Sequence, residues 1–268
     1  MFMARLFFMG LFCMGSVQAD TSAPVQIRFE QSYAGSHPQE FSELLAQMQS
    51  MVPTALAYIT RQWDLPNALH HPLIVTLIDV QTKSLGRPVA AYVRANGQGD
   101  NLRQLLVVDL DHHLLYPNEN LEGIIYHEMA HAILRDGVTN TGASAIPTWF
   151  NEGLAQTVTS EGQLRTEEDF KRWGHSDARA VLCDLNGTVD EFLHGEYNFG
   201  CYTQFYLAVQ RLLQLGGKDT VQHLISGLHD GRPLPDLIQK VTGLDWPAFQ
   251  QEVMRYTLDV FNGTKPII

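Results

Sequence analysis

The order of elements predicts an α+β protein, with strands first and helices afterwards. Two observations carry this reading. Four runs, VQIRFE, LIVTLID, AAYVRA and QLLVVDL, lie before residue 111 and are bounded by Gly, Asn and Pro. From Gly200 to Phe261 the chain instead reads as helix, broken only at Gly216-Gly217, Gly231 to Pro235 and Gly243 to Pro247.

The chain opens MFMARLFFMGLFCMGSVQAD. Arg5 gives a positive start, Leu6 to Gly15 an apolar stretch, and Val17-Gln18-Ala19 a small-residue cleavage signal, the layout of a secretory signal peptide cut after Ala19. The apolar stretch falls short of the roughly 20 residues a membrane span needs. Phe12 is too large to precede a lipid-attached Cys13. The expectation is an exported protein, periplasmic or secreted, whose mature part runs from Asp20 to Ile268 with no membrane span.

Within it VQIRFE reads as a short strand. PQEFSELLAQMQSMVPTALAYITRQW has apolar residues at helical spacing, with Pro53 expected to open a second helix. LIVTLID, AAYVRA and QLLVVDL predict a small mixed sheet with partly antiparallel pairing. A helix follows from about Asn120 to Arg135, capped by Asn118 or Asn120. DGVTNTGASA is a loop, and another helix starts after Pro147 as TWFNEGLAQTV. The chain thus divides into a strand, helix and sheet part over 20–119 and a helical part over 120–268.

The net charge of −11 argues against nucleic acid as the main partner. Removing Arg5 with the leader adds one more negative unit. Cys183 and Cys201 remain after cleavage and are expected to form a disulfide in an oxidising compartment. Closing that loop stabilises by roughly 3 kcal/mol in the chain-entropy account. Asn186-Gly187-Thr188 and Asn262-Gly263-Thr264 fit glycosylation acceptors, which matter only in a glycosylating host.

IIYHEMAHAIL, residues 124–134, is almost wholly apolar yet carries His127, Glu128 and His131. Buried polar groups are costly unless something satisfies them. Residues four apart share a helix face, so both imidazoles can meet one cation. Glu128 stands about 100° around, placed for a water beside the ion. This is the H-E-x-x-H arrangement of two zinc ligands and a general base. Zinc takes imidazole nitrogens at about 2.0–2.1 Å and ionises its water near pH 7, while a carboxylate accepts the proton and hands it to a leaving amine.

A catalytic zinc needs a third protein ligand. Leu134 and Gly137 stand where the H-E-x-x-H-x-x-G-x-x-H pattern needs glycine and a histidine or acid, which excludes that class. Asp136 follows the helix end and points elsewhere by helical phase. Glu152, in the mostly apolar TWFNEGLAQ, is the best candidate, because an unpaired carboxylate there would be expensive.

HEMAH followed by WFNEGLAQ resembles the gluzincin metallopeptidases, in particular an exported, peptidase MA-like group with the signature W-x-N-E-G-x-A. The likeness spans LIVTLID to about LISGLHD. It implies a zincin-like fold for residues 20–268, one zinc ion on His127, His131 and Glu152, and Glu128 as the base. It also implies a peptide or protein substrate lying along the sheet's edge strand, either QLLVVDL or AAYVRA. Gln156 departs from the pattern, since many gluzincins carry there an acid that orients a histidine. That role must then come from elsewhere, or from an amide. CYTQFYLAVQRLL resembles the family's helix bearing an oxyanion-stabilising tyrosine, with Phe205 in place of a serine. It points to Tyr202 as a catalytic residue, with Tyr197 and Tyr206 as alternatives and packing as the competing role for each.

The remaining histidines suggest no second metal site. His70-His71 and His112-His113 are adjacent pairs that do not face one ion, and His175, His194, His223 and His229 lack spaced partners. The expectation is an exported zinc metallopeptidase. Two alternatives use the same residues: a zinc hydrolase of another amide, such as a cell-wall peptide, and a catalytically inactive zincin-fold binding protein.

Overall fold

A seven-residue apolar stripe decides the first long element: Phe41, Leu44, Leu45, Met48, Val52, Ala55 and Ile59 recur at helical spacing and are all buried. The structure, a computed structural model, describes residues 27–30, 35–65, 69–79, 83–84, 87–97, 102–136, 146–160, 162–164, 166–168, 185 and 200–266. The expected signal peptide, the 137–145 loop, Cys183, Asn186, Tyr197, His175 and His194 lie outside them.

Helix α1 spans Pro38–Gln62 and runs straight through Pro53, so no second helix starts there. The proline removes one backbone donor, at a cost of about 3 kcal/mol. The stripe keeps its phase across Pro53, and the burial of Val52 before it and of Ala55 and Ile59 beyond it outweighs that loss.

The sheet is mixed, in the order β1 (Ile27–Phe29), β2 (Leu73–Ile78), β6 (Arg103–Asp109), β5 (Ala91–Asn96). β1, β2 and β6 run parallel, and β5 pairs antiparallel with β6. Among the described residues AAYVRA is therefore at one end of the sheet, with β1 at the other, while QLLVVDL is internal. A short hairpin, β3 (Lys83–Ser84) with β4 (Arg87–Pro88), stands apart. Register puts Leu73, Val75 and Leu77 level with Gln104, Leu106 and Val108, and Leu106 and Val108 level with Val93 and Ala91. Strand side chains alternate between faces, so these residues form one buried face.

Helix α3 (Leu121–Arg135) packs between that face and α1. Gln104, fully buried among the apolar residues, donates from Nε2 to the Ala132 carbonyl at 3.3 Å and ties α3 to β6. Between β6 and α3 lies a helix the sequence reading did not assign, α2 (Leu110–Leu115). The Asp109 carboxylate caps it by accepting from the His112 amide at 3.2 Å.

The longer elements among the described residues of the second half are helices: α4 (Thr148–Gln156), α5 (Gly200–Gly216), α6 (Thr220–His229), α7 (Leu234–Thr242) and α8 (Trp246–Phe261). Its breaks follow Gly217, Gly231 and Gly243, each at positive φ where glycine carries no Cβ penalty. Buried side chains from the sheet, α1, α3 and the C-terminal helices join one core. No described helix is long and apolar enough to cross a membrane.

Candidate metal centre

Asn120 settles the start of α3: its Oδ1 accepts from the Gly123 amide at 3.1 Å, and the helix begins one residue later. From that start, residues 129–134 are buried, while His127 and Glu128 are only half-buried. The two imidazoles stand edge to face with centroids 4.7 Å apart. One donor atom each from His127, Glu128 and His131 falls within 4.8 Å of the others.

Helix α4 brings the third group. Trp149 is its anchor, buried against Phe150, Trp246 and Phe249 with ring centroids 5.5 to 6.0 Å away. Gly153 sets its depth, for a Cβ there would stand 2.3 Å from the Phe205 carbonyl oxygen of α5. The helices meet backbone to backbone only because that residue has no side chain. With α4 so held, Glu152 Oε2 lies 3.4 Å from His127 Nε2 and 3.6 Å from His131 Nε2. The structure thus brings His127, His131 and Glu152 together, with Glu128 beside them.

Asn151, which the sequence reading passed over, orients one imidazole. His131 Nδ1 donates to Asn151 Oδ1 at 3.0 Å. That bond puts the proton on Nδ1 and leaves the Nε2 lone pair facing Glu152. The available signal was an amide inside the otherwise apolar TWFNEGLAQ, immediately before Glu152.

Gln156 does different work. Its Nε2 donates to the backbone carbonyls of Glu152 at 3.2 Å and Tyr202 at 3.1 Å, bridging α4 to α5. The histidine-orienting contact comes from Asn151 instead.

Burial works against the charge on Glu152, but with the imidazoles protonated their positive charge and N–H groups, His131 foremost, outweigh that and hold its carboxyl well below the usual carboxylate range. Burial pushes the Glu128 carboxyl the other way, upward, with the imidazoles only partly opposing. Two neighbouring glutamates thus have opposite tendencies, one ionised and one inclined to hold a proton.

Tyr202 is half-buried in the first turn of α5, its ring 6.2 Å from that of Phe205. Tyr206 belongs to the packing: it is buried with Leu207, Tyr256, Val260 and Phe261. Cys201, next to Tyr202, is buried and disulfide-bonded.

Asp136 is fully buried, its carboxylate turned to the backbone amides of His70 and His71 and to His71 Nδ1 at 2.9 Å. His112 Nε2 meets Glu119 at 2.6 Å, and His223 Nδ1 meets the Asp219 carbonyl at 2.9 Å.

Two ligands each about 2.1 Å from a tetrahedral ion stand about 3.4 Å apart. The separations of 3.4 and 3.6 Å between Glu152 and the imidazoles match that spacing. Two imidazole nitrogens and a carboxylate are also a donor set that zinc accepts. No protein-family model and no curated protein sequence matches this chain.

Proposed function

We propose that this chain is an exported zinc-dependent peptidase of gluzincin type, with His127, His131 and Glu152 as ligands and Glu128 as general base. One observation carries the reading: both Nε2 atoms approach a single oxygen of Glu152, at 3.4 and 3.6 Å. At that spacing one zinc ion would replace the protons that otherwise bridge the carboxylate and the two imidazoles.

Held by His127, His131 and Glu152, a zinc ion would supply Lewis acidity and lower the pKa of water towards neutrality. Glu128 takes the proton of the attacking water and passes it to the leaving nitrogen as the amide bond breaks. Asn151 holds His131 in the tautomer that coordinates. The Tyr202 hydroxyl is assigned to the carbonyl oxygen as its charge grows. Support for that role is its place in the first turn of α5, beside the Gln156 bridge to α4.

Metal analysis of the purified mature chain tests the site, with about one zinc per chain expected. Glu128→Gln then keeps the zinc and loses peptide hydrolysis by at least about 10²-fold. A chain that binds no zinc defeats the reading. A zinc-loaded chain that cleaves no peptide leaves the other two uses of the site, hydrolysis of a different amide or binding alone.

A further inference from the structure

The end strand of the sheet is met by a charge from the helix that carries the site. The Asp109 amide donates to the Ala90 carbonyl at 2.9 Å, which makes 90 and 109 a hydrogen-bonded pair. Bonded and non-bonded pairs alternate along an antiparallel ladder. Tyr92 and Arg94 therefore turn their backbone groups toward β6, while Ala91, Val93 and Ala95 turn theirs outward. The middle outward acceptor is occupied: Arg135 Nη1 donates to the Val93 carbonyl at 3.0 Å.

Arg135 is on α3, one turn beyond His131. Taking His127 as zero, His131 lies at about 40°, Arg135 at about 80° and Glu128 at about 100° around the helix. Helix side chains lean toward the N-terminus, so the guanidinium reaches back over the turn that bears the site. Arg135 thus spans from the outward edge of β5 toward the base.

We propose that Arg135 is a substrate-binding residue that receives a carboxylate, an inference that rests on the peptidase reading. An extended peptide on an open edge donates its N–H to an outward carbonyl. At Val93 that acceptor is taken, and cationic N–H groups stand in its place. A substrate N–H there meets a donor, whereas a carboxylate meets a guanidinium, whose fork of five N–H groups suits it. Among the described residues, Arg135 places one of those groups on Val93. In a chain of net charge −11, a cation held at the outward edge of β5 by the helix that carries the site is a feature that selects an anionic group. The carboxylate is either a peptide's C-terminus or an acidic side chain.

The test uses the zinc-loaded mature chain and matched peptides. One pair differs by a free C-terminal acid against an amide. The other pairs exchange Asp or Glu for Asn or Gln at successive positions around the cleaved bond. The carboxylate form of one series should be favoured in kcat/KM by about 10–100-fold, chiefly through KM, and the favoured series identifies the source. Arg135→Gln should collapse that ratio, with Arg135→Lys retaining part of it. In the Glu128→Gln background, calorimetry should show carboxylate-dependent binding that Arg135→Gln abolishes. Two results overturn the proposal: wild type that ignores the carboxylate, or Arg135→Gln that weakens both members of a pair equally. The second would make Arg135 a brace for β5 alone. Zinc-loaded wild type that cleaves no peptide overturns the peptidase reading and this inference with it.

Discussion

Asn151 Oδ1 accepts a hydrogen bond from His131 Nδ1 at 3.0 Å, joining the helix that supplies Glu152 to the helix that supplies both imidazoles. The bond fixes the ring's orientation and its proton. Replacing such an outer partner costs about 10–100-fold in metal affinity. Asn151→Ala should therefore weaken zinc binding by that amount, while Asn151→Asp, which keeps the acceptor, should lose much less. Competition with a chromogenic chelator measures both. Equal affinity in wild type and the alanine variant would remove Asn151 from the site.

Gly153 gives a prediction about stability and the site together. An added Cβ would stand 2.3 Å from the Phe205 carbonyl oxygen, 2.7 Å from its carbon and 2.8 Å from Val209 Cγ2. Two of those atoms are backbone and cannot swing aside. Gly153→Ala should push α4 off α5, destabilising the fold by about 1–3 kcal/mol. Urea unfolding would show a lower midpoint at an unchanged slope. Zinc affinity should fall in the same variant, because Glu152 rides on α4. A midpoint equal to wild type would mean the helices do not touch there.

His229 gives the pH dependence. Its Nε2 is buried without a hydrogen-bond partner among the described residues, and its ring stands edge-on to His70 with centroids 6.1 Å apart. Burial, then His70, pushes its pKa below the ordinary value, with Asp136 and Asp230 opposing. Below the ordinary histidine value, about 6.5, the unfolded chain takes up the proton first. Stability is therefore full above that pH and declines as the pH falls through the lowered folded value. His229→Phe keeps an aromatic ring against His70 and removes the titration. Tm measured from pH 7.5 to 4.5 should fall less steeply in the variant, and parallel curves would refute the assignment.

The α+β order and the helix breaks after residue 200 were legible because they rest on local chemistry: periodic apolar residues, and glycines at turns. The cap of α3 was legible to within two choices, Asn118 and Asn120. Pro53 misled because a proline's local cost is visible in a sequence, whereas the burial that outweighs it is not. Helix α2 escaped notice because LDHHLL continues the apolar run of β6 and is only six residues long. The shared face of His127 and His131 needed nothing beyond the 3.6-residue period.

By itself, then, the sequence determined most of the longer helices and strands and which side chains on one helix share a face, since both follow from repeats of a few residues. Only the tertiary structure decided how α4 is turned and how deeply it sits, and with that where Glu152 and Asn151 point. The same holds for the strand at the sheet's edge and for the meeting of Arg135 with Val93. Those relationships join residues tens of positions apart, and they are set by close contacts such as Gly153 on Phe205. Segment periodicity carries no trace of such contacts.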